Sequence, residues 1–137
     1  MNLDPSAFVA DPGLIKALEI HATPISCAGD RVLFQQGDAP QGLYVLDKGI
    51  ATLTMNSPAG EEVMCIDATA GSLLGLPGLI GNEPYSLTAV ARKDAQICFI
   101  ARDEFASLMQ ANPLLSLQVL KVLAAEVRSA RQAILNR

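Results

Sequence analysis

Metal, thiol or acyl-transfer chemistry in this sequence would have to begin from three cysteines and a single histidine. Cys27, Cys65 and Cys98 lie tens of residues apart, and no Cys-x-x-Cys pair occurs. A metal centre needs its ligands at short, paired spacings, so these cysteines and His21 supply no metal site. The thiols read as reduced and mostly buried, with a redox-sensing thiol as the alternative. His21 enters no Ser/His/Asp or Cys/His grouping, and barrel-type metal enzymes need several histidines. No catalytic residue can be nominated. The sequence reads as a non-enzyme.

Length and composition narrow the classes further. The chain has 137 residues, enough for one domain with a single core. Half of them are hydrophobic and 18% are charged, below the usual figure of about a quarter, which excludes disorder and a charge-laced helical array. A net charge of −4, no Trp and 4% aromatics disfavour direct nucleic-acid binding, which wants a basic face or a stacking platform. The N-terminus lacks a signal peptide's apolar run. The longest uncharged stretches, 68–82 and 105–120, are broken by Gly, Pro, Asn and Gln and are too short to span a bilayer. The expectation is a cytoplasmic protein without membrane contact.

Any site must be positioned by three zones of the chain. Asp11-Pro12 starts a helix over about 11–20, with Leu14, Ala17 and Leu18 as its apolar stripe. Gly29, Gly37, Gly49, Gly60, Gly71 and Gly81 then recur every eight to twelve residues beside Asp30, Asp38, Asp47 and Pro58. Turn residues at that spacing mark an all-β region, over about 22–101. Strand-like runs cover 31–34, 43–46, 50–55, 62–66, 86–91 and 96–100. In 50–55, Ala51, Leu53 and Met55 alternate with Thr52 and Thr54, one face buried and one wet. About eight strands would suit a jelly roll. A helix follows over about 103–111, and Asn112-Pro113 starts a long helix over about 113–136. Its Leu120, Leu123, Val127, Ala130 and Ile134 repeat at steps of three and four. The helix either lies on its own barrel or forms a two-helix dimer seam. The seam is favoured, because over twenty residues make a helix of roughly 35 Å that overshoots so small a domain.

Gly29-Asp30-Arg31-Val32-Leu33-Phe34-Gln35-Gln36-Gly37-Asp38, then Leu43-Tyr44-Val45-Leu46, then Lys48-Gly49 resembles the opening of a cyclic-nucleotide-binding domain. The nearer likeness is to sensor domains of the catabolite-activator and fumarate–nitrate-reductase regulators. It continues through 71–75, 86–100, Asn112-Pro113 and the long helix, and covers about 14–135. The resemblance implies a helix, an eight-stranded antiparallel jelly roll and two helices, the second usually a dimer interface. It also implies signal transduction in transcription regulation. In such domains a Glu accepts from the ribose hydroxyl, an Arg pairs with the cyclic phosphate, and backbone N–H groups complete the cradle.

The matching segment here is 74–88. Gly75 and Ser86 are kept, but Leu76 stands in place of the Glu and Tyr85 in place of the Arg. Each missing contact is worth about 1.5–3 kcal/mol, so together they remove about two to four decades of affinity. That argues against a tightly bound cyclic nucleotide. Arg92, next to Lys93 and Asp94, reads as a surface residue, Glu83 as solvated, and Ala130 offers no hydrogen bond where some relatives place a hydroxyl. The segment that remains has an apolar wall (Leu74, Leu76, Leu79, Leu87), the hydroxyls of Tyr85, Ser86 and Thr88, and backbone donors around Gly75, Pro77 and Gly78. It is either a pocket for a smaller or more apolar effector or a filled core. Grouped cysteines for an iron–sulfur sensor are absent, and a haem has no placed ligand.

Three functions compete on this evidence. A ligand-sensing domain would pass a change in the pocket along the dimer helix to a partner. A vestigial sensor would act only as a dimerisation or protein-interaction module, or as a weak cyclic-nucleotide binder. An enzyme lacks its residues. The usual helix-turn-helix output region would begin after Arg137, so the expectation is either a freestanding protein or an excised sensor domain.

Overall fold

Alternation along residues 62–68 shows how the β region organises itself. Met64, Ile66 and Ala68 are buried, while Val63, Cys65 and Asp67 are exposed, so one face of this strand meets a core and the other meets water. The same logic repeats through the computed structural model, which describes residues 3–136. Among the described residues there are eight strands: β1 Thr23–Ser26, β2 Arg31–Phe34, β3 Gly42–Lys48, β4 Ala51–Asn56, β5 Glu62–Ala68, β6 Leu73–Leu74, β7 Thr88–Ala91 and β8 Gln96–Ala101. They form two four-stranded sheets, ordered β1-β8-β3-β6 and β2-β7-β4-β5, and every pairing is antiparallel. This is the jelly roll that the turn spacing predicted.

Two strands escape the sequence pattern, each for a physical reason. β1 contains Pro24, which has no N–H to donate and is tolerated because β1 is an edge strand. β6 is two residues long and leaves no alternation to detect. β3 is buried on both faces: Leu46 packs between the sheets, whereas Leu43 and Val45 point to the helices. At Gly42 the ring of Phe99 and the carbonyl of Ile100 approach so closely that any Cβ would overlap them.

Four α-helices frame the strands: α1 Pro12–Glu19, α2 Leu76–Gly81, α3 Arg102–Ala111 and α4 Pro113–Leu135. A 3-10 turn, Pro5–Phe8, precedes α1. Caps fix the starts. Asp11 accepts from the Gly13 N–H at 2.9 Å, and Asn112 Oδ1 accepts from Leu115 N–H at 3.1 Å, each with proline at the first helical position.

The molecule thus has two apolar layers. One lies between the sheets and includes Phe34, Leu53, Leu74 and Tyr85. The other lies between the sheet of β1, β8, β3 and β6 and the helices, and includes Leu14, Leu18, Leu76, Phe105, Leu115 and Val119. α4 also reaches the N-terminal turn, where Ser129 Oγ accepts from Asp4 N–H at 2.7 Å.

Candidate ligand site

The segment singled out by the sequence folds around Gly75. Gly75 holds a left-handed backbone, φ +92°, and caps α2 without a side-chain bond. A Cβ there would lie 2.7 Å from the Tyr85 ring, so glycine is required by both conformation and space. Leu74, Gly75, Pro77, Gly78, Tyr85, Ser86 and Leu87 come together on a cavity between the sheets, joined by Phe8, Phe34, Leu53 and Glu126. Its volume is about 20 Å3, room for a single water.

Two nominated residues stand elsewhere. Leu76 is fully buried but belongs to the layer under the helices, together with Leu79, and neither lines the cavity. The Thr88 hydroxyl accepts from Gln36 N–H at 2.9 Å and faces a shallow surface depression beside Asn56. The apolar wall is therefore built by Leu74 and Leu87 with Phe34 and Leu53, not by the four leucines read from the sequence.

Tyr85 occupies the site as a ring. Its hydroxyl accepts from Gln41 N–H (3.0 Å) and Gly42 N–H (3.1 Å) and donates to the Gly42 carbonyl at 2.7 Å. Those bonds use its donor and both lone pairs, so in this structure the hydroxyl has no capacity left for a further partner. The ring stacks on Phe34, with centroids 4.0 Å apart and planes 22° apart. The backbone of Tyr85 is tied as well, to Asp38 and Gly37. Pro77, with no N–H, removes one donor from the first turn of α2.

Compensating charge does not come from Arg92. Its Nε donates to Thr52 Oγ1 and its Nη1 to Asp30 Oδ2, both at 2.9 Å, on the outer face of the sheet. Glu83 is exposed. Among the described residues no Lys, Arg or His lines the cavity.

Sequence reading missed the one charged residue that does. Glu126, which the sequence reading did not nominate, lines the cavity from α4. Its Oε2 is buried without a hydrogen-bond partner, alone in this among the described side chains. Burial pushes its carboxyl up to about 8. The signal was present in the helix: Leu115, Val119, Val122, Ser129 and Ala133 are buried at steps of three, four and seven, and the missing member of that stripe is residue 126.

The nominated seam runs beside this stripe. Leu120, Val127 and Ile134 are 48%, 44% and 55% exposed, so their own domain covers them only in part, while Leu123 and Ala130 are half-buried. Ala130 does not reach the cavity.

The remaining reactive groups are dispersed. His21 Nδ1 lies 3.4 Å from Glu104 Oε1 at the surface. Cys27 is buried, Cys65 exposed and Cys98 half-buried, and burial pushes the Cys98 thiol up, with the charges of Glu19 and Asp47 adding to it. Among the described residues no three His, Cys, Asp or Glu side chains are placed to hold a metal ion. Nor is any single helix among them long and apolar enough to cross a membrane.

Known proteins share this arrangement. The crystal structure of Thermus thermophilus catabolite activator protein superposes with a TM-score of 0.78 at 23% identity, over 96% of this chain and 62% of that one. The sensor domain of the transcriptional regulator DNR from Pseudomonas aeruginosa gives 0.66 at 19%, over 89% and 82%. These likenesses concern fold. In sequence, the cyclic AMP receptor protein of T. thermophilus is 29% identical over 98 residues, 72% of this chain and 45% of that protein. The transcriptional activator protein anr of P. aeruginosa is 27% identical over 103 residues, 75% and 42%. The chain thus spans less than half the length of these two curated relatives. A family model, the cyclic nucleotide-binding domain, matches residues 24–112. With that match over most of its length, and with the jelly roll and its helices in place, the chain belongs to the cyclic nucleotide-binding domain family.

Proposed function

We propose that this chain is a non-catalytic effector-sensing domain that has given up the cyclic-nucleotide phosphate site. It signals as a cytoplasmic homodimer through α4 to a partner, in regulation of the kind named for its relatives. The observation that carries this reading is Tyr85, stacked on Phe34 and hydrogen-bonded into β3 where the phosphate arginine is expected. Leu76 in the place of the ribose acid supports it, as does the lack of any basic side chain among the described residues around the cavity. Isothermal titration with cyclic AMP and cyclic GMP tests it. The expected affinity is weaker by about two to four decades than a domain with both charged contacts achieves. Sub-micromolar binding of either nucleotide would overturn the reading.

The water-sized cavity favours a second reading, in which the pocket is vestigial and the domain serves only for dimerisation or protein interaction. Thermal shift against a broad metabolite panel separates the two. Stabilisation by a small molecule supports the sensor, and indifference to all of them supports the vestigial module.

A further inference from the structure

A buried carboxyl without a partner demands an explanation, because its desolvation is uncompensated. Glu126 is that group here, and it sits on the cavity of the candidate ligand site. Of the other lining side chains, Phe34, Leu53, Leu74 and Leu87 offer no polar atom, the Tyr85 hydroxyl is fully engaged, and Ser86 adds one neutral hydroxyl. The mouth is formed by exposed Pro77 and Ser86. The site therefore offers an anionic ligand no cation to pair with, and it offers a cation a carboxyl. A site with one acid, aromatic and aliphatic walls and no base is complementary to a cation with an apolar body.

We propose that the effector of this domain is a small organic ammonium ion, and that Glu126 is the residue that pairs with its nitrogen. The inference rests on the sensor reading above and names the ligand class for that site. The head group fits a space of about 20 Å3 beside the carboxyl, and the apolar body lies toward Pro77, Ser86 and Leu87. Burial holds the Glu126 proton up to about 8. An arriving ammonium keeps its own protons, and the carboxyl releases its proton to the buffer as the ion pair forms. Binding near neutral pH therefore liberates close to one proton per ligand. The pairing also explains how occupancy would reach α4, since residue 126 adjoins Val127 of the exposed seam.

Benzylamine is the probe, compared with its isosteres benzyl alcohol and benzoate and with cyclic AMP, using the full chain in thermal-shift and calorimetric titrations. The expected result is stabilisation by benzylamine alone. Its binding enthalpy should change between phosphate and Tris buffers by the heat of about one buffer protonation, and affinity should fall at least tenfold in Glu126→Gln. Glu126→Leu, which also removes the unpaired acid, should behave as Glu126→Gln and keeps the test independent of either variant's packing. Preferential binding of benzoate, benzyl alcohol or cyclic AMP would overturn the ammonium class while leaving the sensor reading intact. Benzylamine binding that Glu126→Gln leaves unchanged would overturn the role of Glu126. If Glu126→Gln instead weakens dimerisation in a salt-dependent way, with no benzylamine effect on the wild type, the carboxyl pairs with a basic group of a second copy and the proposal fails. Indifference to these ligands and to the metabolite panel would overturn the sensor reading itself.

Discussion

Glu126 makes the domain's stability depend on pH in a direction opposite to that of an ordinary paired carboxylate. Among the described residues of the elements packed around it, the 3-10 turn, β2, β4, β6, α2 and the approach to β7, only Tyr85 brings a titratable side chain to the cavity. Nothing nearby favours the ionised form. Its carboxyl is raised by burial from the ordinary 4.5 to about 8. Below 4.5 both the folded and unfolded chains carry the proton, and the site's contribution no longer changes with pH. Between 4.5 and about 8 the folded chain keeps the proton that the unfolded chain releases, so stability falls as pH rises, by up to about 1.4 kcal/mol per unit. Above about 8 both states are ionised and the loss levels off. Urea unfolding of the wild type and Glu126→Gln between pH 5 and 9 isolates this effect, because other groups cancel in the difference. The glutamine variant should gain on the wild type steadily across that window, by a total of about 3–5 kcal/mol. Parallel profiles would mean that the carboxyl finds water or a partner and is not held protonated.

At the scale of elements, α2 and α4 decide which residues face the pocket, and the sequence discloses that only in part. Leu76 and Gly75 are neighbours, yet Gly75 lines the cavity while Leu76 packs under the helices with Leu43 and Val45. A short helix beginning at a left-handed glycine turns successive side chains to different layers, and no spacing rule reveals which layer each will meet. The expectation is therefore that Leu76→Glu buries a carboxylate in an apolar layer and lowers stability by at least about 3 kcal/mol. Leu76→Met, which keeps the volume, should lose under about 1.5 kcal/mol. Urea midpoints at neutral pH compare the two; a glutamate variant as stable as the methionine one would place residue 76 at the cavity after all. The jelly roll itself was legible, because turn glycines at Gly37, Gly49, Gly60 and Gly71 all adopt positive φ and alternation in β4 and β5 survives burial. α4 was half legible. Its outer stripe of Leu120, Val127 and Ile134 looks like a seam because all its members are apolar, whereas the inner stripe is disguised by Glu126 and Ser129. Only tertiary packing shows that those two polar residues face inward.

The whole molecule leaves an apolar ridge along α4 that its own core does not use. Leu117, Leu120, Val127 and Ile134 are each 44–55% exposed, and their spacing follows the helix rather than the scatter expected of isolated surface residues. A helix of 23 residues is roughly 35 Å long, and a second copy laid along it would bury the ridge continuously. Because the inner face of the same helix carries Glu126 at the cavity, assembly and ligand occupancy in the proposed dimer would act on one element. By linkage, any ligand that shifts α4 must change dimer affinity by the same factor by which dimerisation changes ligand affinity. The expected mass at micromolar concentration is twice that of the 14.4 kDa chain. Placing acids in the ridge with Leu120→Asp and Val127→Asp sets like charges against each other across the seam and should yield monomer. These positions lie outside the buried core, so the circular dichroism spectrum of the jelly roll should be retained. Light scattering checks the outcome. A wild type that is monomeric at these concentrations, or a double variant that still dimerises, would require the ridge to meet something other than a second copy.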